Sequence, residues 1–159
     1  MAKKKKKKKV DITEKVIKEL IVSYNMEVET VQNYLCNSIN LDGVRAEEIK
    51  KSLATDIQEE LGHATMLGKR VKVLGGMVPG SMELKPAQKS MQPGEDTTDV
   101  VSVIKGVIEA EEGAIAQYQK IIEMTDGVDY VTQDLIIQLK GDEEDHRRQF
   151  IGFLKEYTR

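Results

Sequence analysis

The chain has no tryptophan, two phenylalanines, three prolines, one cysteine and two histidines in 159 residues. A lone cysteine, Cys36, cannot form an internal disulfide, so a cross-linked secreted scaffold is excluded. Scarce aromatics and prolines argue against a strand-rich domain. The abundant Ala, Glu, Lys, Ile and Val favour an all-α fold. No apolar run is long enough to span a bilayer and no signal-peptide core is present, so the expected setting is a reducing cytoplasm with no membrane contact. With only His63 and His146 available, imidazole chemistry is confined to two places.

The formal charge of −3 conceals two opposed regions. Lys3, Lys4, Lys5, Lys6, Lys7, Lys8 and Lys9 form an unbroken basic run; without them 17 basic residues face 27 acidic ones. So dense a run of like charge is expected to be a disordered, solvated tail over residues 1–9, ahead of one domain at residues 10–159. An acidic body concentrates cations and repels nucleic acid, leaving any DNA contact to the lysines.

Ile12, Val16, Leu20, Tyr24, Val28, Val31 and Leu35 recur at helical spacing and predict a first helix from Val10 to about Ile39. Asn40-Leu41-Asp42-Gly43 reads as a turn. A second helix follows from Val44 to Leu74, with Ile49, Leu53, Ile57, Leu61, Ala64, Leu67, Val71 and Leu74 on one face. The turn is short enough to make these helices antiparallel neighbours. Gly75-Gly76 ends the second helix, and Pro79, Gly80, Pro86, Pro93 and Gly94 punctuate an aperiodic connection to about Asp96. Third and fourth helices are expected from Thr97 to Thr125 and from Tyr130 onward, separated by Asp126-Gly127. The expected fold is an all-α four-helix bundle with one long crossover between helices two and three.

Both histidines follow a glutamate by three residues, in Glu60-Leu61-Gly62-His63 and Glu143-Glu144-Asp145-His146. Residues three apart project from one helix face, so each motif offers a carboxylate and an imidazole in one direction. That is the spacing of a di-metal carboxylate site. An internal repeat adds to it: Glu27 precedes Tyr34 by seven residues in helix one, and Glu111 precedes Tyr118 by seven in helix three. Glu109 and Glu112 flank Glu111, and the Tyr118 register selects Glu111. The candidate ligands are therefore Glu27, Glu60, His63, Glu111, Glu143 and His146. Four carboxylates and two imidazoles suit a pair of divalent first-row metals, whose charge they would cancel inside a bundle. The plain alternative, solvated glutamates and histidines on an ordinary bundle, is disfavoured because Glu60 and His63 are interleaved with the apolar residues of helix two.

These segments resemble the ferritin-like superfamily, closest to bacterioferritins and Dps-like mini-ferritins. The likeness rests on the Glu-to-Tyr spacing of helix one, Glu59-Glu60-Leu61-Gly62-His63-Ala64, Leu74-Gly75-Gly76-Met77-Val78-Pro79, and Asp142-Glu143-Glu144-Asp145-His146. The resemblance implies two Fe ions per subunit, with Mn as the alternative metal. Glu27 and Glu111 would be terminal ligands, Glu60 and Glu143 would bridge, and His63 and His146 would complete the two coordination spheres. Tyr34 and Tyr118 would hydrogen-bond ligand carboxylates, while Glu59 and Asp142 would accept the remaining imidazole N–H of the opposite motif's histidine. The implied activity is oxidation of Fe(II) by O2 or H2O2, with Fe(III) deposited in a shell of identical subunits.

Two departures from the bacterioferritin pattern matter. Leu61 stands where those proteins place a haem-binding Met, so haem is not expected. The sequence ends thirteen residues after His146, which leaves no fifth helix and favours a dodecamer or smaller assembly over a 24-mer. Two other readings stand beside the first. A non-storing peroxidase or catalase-like di-metal enzyme resembling rubrerythrin is weakened by the absence of a Cys-x-x-Cys module. A Dps-type DNA-protecting protein would act through many copies of the lysine tail, with salt-sensitive avidity.

Overall fold

A computed structural model of the chain describes residues 2–159, with side chains over residues 12–159. The tail expected at residues 1–9, and the DNA contacts expected of its lysines, lie outside the described side chains. Four helices, α1 (Ala2–Asn40), α2 (Glu47–Val73), α3 (Val100–Thr125) and α4 (Tyr130–Tyr157), make up the bundle, with one 3₁₀ turn at Ser81–Glu83 inside the crossover. No strand occurs among the described residues, and no helix there is long and apolar enough to cross a membrane. The fold is all-α, with α1 packed chiefly on α2 and α3 on α4.

Local chemistry sets the helix ends. The Gly75 amide donates to the Lys72 carbonyl at 3.1 Å and the Gly76 amide to the Val71 carbonyl at 2.9 Å. Gly75 has φ +89°, so α2 ends in a Schellman motif at a backbone position that glycine adopts without strain. Asp99 caps α3 by accepting from the Ser102 amide at 3.0 Å. Asp129 caps α4 through the Thr132 amide at 3.1 Å, and Arg70 of α2 grips the same carboxylate at 2.9 and 3.0 Å.

Two apolar clusters fill the bundle interior. One gathers Val16, Leu20, Leu67, Val71, Tyr118, Ile121, Ile136 and Leu139. The other contains Tyr34, Ile49, Leu53, Ile104, Val107 and Phe150. Read along every helix, a buried Glu or Glu-x-x-His lies between the residues of one cluster and those of the other, so a polar layer separates two greasy ends.

The apolar faces differ from the sequence expectation at particular residues. Leu35 and Leu61 are each 50% exposed, whereas Glu60 and His63 point inward. The inward stripe of α1 runs through Val16, Leu20, Ser23, Glu27, Thr30, Tyr34 and Asn37, which keeps helical spacing but is half polar. The crossover supplies partners for part of that stripe and its flank. Glu29 accepts from the amides of Ala87 and Gln88 at 2.9 and 2.7 Å. Asn37 donates to the Met91 carbonyl at 2.7 Å. Gly106 lets the crossover lie on α3, because a Cβ there would stand 2.8 Å from the Met91 nitrogen.

Candidate metal centre

Each helix delivers part of the polar layer from its inward stripe: Glu27 from α1, Glu60 and His63 from α2, Glu111 from α3, Glu143 and His146 from α4. All six are buried, none more than 6% exposed. Their donor atoms fall into two overlapping groups, one of Glu27, Glu60, His63 and Glu143, the other of Glu60, Glu111, Glu143 and His146. Within each group the donor atoms lie within 4.8 Å of one another. Glu60 and Glu143 belong to both, which is the geometry of carboxylates shared between two adjacent cations.

The imidazoles are oriented by what surrounds them. His63 Nδ1 lies 3.0 Å from Glu143 Oε1 and 3.4 Å from Glu60 Oε2. His146 Nδ1 lies 3.2 Å from Glu60 Oε1 and 3.3 Å from Glu143 Oε2. Both Nδ1 atoms therefore face the shared carboxylates. The outward Nε2–H of His146 donates to Glu59 at 2.6 Å and that of His63 to Asp142 at 3.3 Å. Each outer carboxylate thus belongs to the opposite motif's helix and fixes the ring orientation that turns Nδ1 inward. The Tyr34 hydroxyl donates to Glu111 and the Tyr118 hydroxyl to Glu27. Tyr34 of α1 thus serves α3, and Tyr118 of α3 serves α1. The rings are both buried core residues and hydrogen-bond donors to the site.

The charge state of this layer follows from its crowding. Burial opposes a charge on His63, but the hydrogen bond to Glu143 and the nearby Glu60 carboxylate prevail and push its imidazolium up to about 10. In His146 the same opposition resolves further upward, to about 12. Burial also raises Glu60 and Glu143, yet the two imidazoles standing 3.0–3.4 Å away outweigh it and hold the two carboxyls below their usual range. Burial, reinforced by the charges on Glu60 and Glu143, holds Glu27 and Glu111 well above it. Crowding thus drives the metal-free layer toward neutrality: both imidazoles and the Glu60 and Glu143 carboxyls favour their charged forms, while Glu27 and Glu111 favour the protonated one.

A divalent metal pair suits this donor set. Both Glu60 oxygens, Glu143 Oε2 and His146 Nδ1 are buried without a well-aligned hydrogen bond. Buried donors and acceptors left in that state are costly unless something else satisfies them. Carboxylate oxygens with one imidazole nitrogen per group match Fe2+ or Mn2+ better than a soft, thiolate-seeking ion.

The comparisons with known proteins agree with this architecture. The Ferritin family model, a ferritin-like domain, matches residues 17–159. The chain belongs to the ferritin family. A relative from Pyrococcus furiosus, a DNA protection during starvation protein, is 28% identical over 141 residues, covering 86% of this chain and 75% of that protein. Among solved structures, a dodecameric thioferritin from Bacteroides fragilis, a bacterioferritin-related protein, superposes with TM-score 0.83 at 22% identity, covering 92% of this chain and 88% of the other. The di-iron bacterioferritin of Desulfovibrio desulfuricans superposes at 0.79 and 21% identity, covering 94% and 84% respectively. At such identities these structural neighbours establish the ferritin-like fold.

Sequence reasoning overlooked Glu29 and Asp56. Glu29, which fastens the crossover, resembles any other acidic residue of α1 until its partners are known. Asp56 is 6% exposed in the inward stripe of α2, one turn before Glu60. Its spacing from Glu60 and His63 was the available signal.

Proposed function

We propose that this ferritin-family chain oxidises Fe(II) and stores the product. The observation that carries the reading is the pair of overlapping donor groups sharing Glu60 and Glu143. Family membership and the Dps-type relative support iron storage and ferroxidase chemistry in general. In this reading Fe2+ is the substrate. One ion is held by Glu27 and His63, its neighbour by Glu111 and His146, and Glu60 and Glu143 bridge them. Two Fe2+ held side by side supply the two electrons that reduce O2 to H2O2, or H2O2 to water.

The surrounding residues hold and orient. Tyr34 and Tyr118 fix the terminal carboxylates, and Glu59 and Asp142 fix the imidazoles, so the site is largely assembled before the substrate arrives. Loading exchanges protons for cations: neutral imidazoles and four carboxylates around two divalent ions restore the near-neutral charge of the metal-free layer. Subunits would associate into a shell, a dodecamer as in the Bacteroides fragilis neighbour. The apolar residues left exposed on α1 and α2, including Val22, Leu35, Ile39 and Leu61, support their burial between copies.

Stopped-flow oxidation of Fe2+ by the wild type and by Glu60→Ala and His63→Ala tests the reading. Rapid oxidation lost in both variants, with helix content retained, is expected. Unchanged kinetics would refute the site. A second reading, DNA protection through Lys3 to Lys9, is favoured by the lysine run and by the Dps-type relative. Salt-sensitive DNA retardation that disappears when those lysines are deleted would support it; retardation by the tailless protein would exclude the tail as its cause.

A further inference from the structure

Between the end of α1, the second half of the crossover and the start of α3 lies a pocket of 270 Å³. Its floor is buried: Asn37, Leu41, Met91 and Val103 are each no more than 8% exposed. Asn37 is the informative residue. Its Nδ2 donates to the Asn33 carbonyl at 2.9 Å and to the Met91 carbonyl at 2.7 Å. Two carbonyls at one end of the amide fix which end is nitrogen, so Oδ1 is the polar atom left for the pocket. That oxygen accepts no hydrogen bond among the described residues, although Asn37 is only 4% exposed. An amide oxygen so withdrawn from water calls for a donor. Met91 beside it holds φ +60°, a left-handed conformation uncommon outside glycine and one that recurs at ligand clamps.

We propose that this pocket binds a short aliphatic diamine. Its rim sets Glu95, Asp96 and Asp99 against Lys89, an excess of two negative charges. That excess repels anions and favours a dication. A metal ion would leave the apolar floor unused, and both Asp99 oxygens already accept from Ser102. A quaternary ammonium has no N–H for Asn37, and no aromatic ring lines the pocket to hold one. A primary ammonium meets both demands, with N–H for Asn37 Oδ1 and charge for the carboxylates. Asp96 accepts from Thr98 through Oδ1 alone, so its Oδ2 is open to the second ammonium. The methylenes between the two ends pack on Leu41, Met91 and Val103. The volume lies below the roughly 300–1,000 Å³ of drug-sized ligand sites, which suits a short chain. Asn37 is ten residues beyond Glu27 on α1, about 15 Å along the helix, so this site is separate from the dinuclear layer.

The probe is 1,4-diaminobutane. Equilibrium dialysis of the full chain should find one bound per subunit, and a soaked crystal should show it against Asn37 Oδ1. Succinate, of similar length and opposite charge, should not bind, nor should tetramethylammonium. Asn37→Leu should abolish binding. Asp96→Lys reverses an exposed charge remote from the core and should weaken binding roughly tenfold or more, the loss of one charge-assisted contact. Because Asn37 also anchors the crossover, Asp96→Lys decides the matter should Asn37→Leu disturb the fold. No saturable binding by the wild type, equal binding of tetramethylammonium, or an affinity unchanged in Asp96→Lys would overturn the proposal. None of these readouts involves Fe2+ oxidation, so each outcome leaves the proposed function where it stands.

Discussion

The middle of the bundle and its two ends obey different rules. At the ends, Leu20, Leu67, Ile121 and Leu139 on one side and Ile49, Leu53, Ile104 and Phe150 on the other are fully buried hydrocarbon. Many apolar residues of similar volume would serve there. In the middle, Glu60, His63, Glu143 and His146 are also buried but ionisable, and each imidazole lies 3.0–3.4 Å from both of those carboxylates. No stability argument favours such a layer; ion clusters of this kind are often less stable than hydrocarbon of the same shape. The ends hold the fold together, and the middle is retained for what it binds.

The sharpest break of that comparison removes a shared ligand. Glu60→Ala or His63→Ala should slow Fe2+ oxidation by more than the roughly 10–100-fold expected for an outer hydrogen-bond partner, while circular dichroism still reports a helical bundle. Leu67→Ala should do the reverse, costing about 2–5 kcal/mol in denaturant unfolding through the cavity it leaves, with oxidation intact in the folded fraction. Tyr118→Phe sits between the two regions. It should cost about 1–3 kcal/mol by leaving the buried Glu27 carboxyl without its donor and weaken metal binding roughly tenfold. Asp129→Ala, which strips the α4 cap and the partner of Arg70, should cost about 1–2 kcal/mol with no effect on metal affinity. Leu61→Ala, a hydrophobe on the outer face, should change subunit stability by no more than about 0.5 kcal/mol.

Titration sharpens the same contrast. His63 and His146 titrate in the metal-free fold at about 10 and about 12, against an ordinary 6.5. A folded-state value above the unfolded one contributes stability that is complete below pH 6.5 and fades as pH rises through the folded values. The metal-free bundle should therefore lose this contribution as pH climbs above 6.5, unlike a bundle whose middle is apolar. Metal must displace those protons, so Zn2+ added at pH 7 to an unbuffered solution should release at least two protons per subunit. The count should reach four where Glu27 and Glu111 also ionise. Affinity should increase with pH. Zn2+ uptake without acidification would contradict this charge assignment.

Much of this molecule is legible in its sequence, for physical reasons. The two Glu-x-x-His motifs and the Glu-to-Tyr repeat stand out because a metal layer needs particular side chains at particular helical offsets, and the fold brings those residues together. Gly75 is legible because a left-handed helix terminus favours glycine. The outward turn of Leu35 and Leu61 was not legible, because an apolar residue beside the true stripe looks like part of it. Nor was the burial of Ser23, Thr30 and Asn37 in α1. Glu29 and Asn37 have meaning only once the crossover lies across α1 and presents the amides of Ala87 and Gln88 and the carbonyl of Met91. That pairing is long-range and has no local signal.

The central claim is tested most directly by the iron retained per subunit after stepwise aerobic addition of Fe2+ to the metal-free protein, measured on the assembled species after size exclusion. The account predicts retention far above two per subunit in a shell-sized particle. A plateau at two would leave the metal centre but contradict storage, and no retention at all would contradict the metal centre itself.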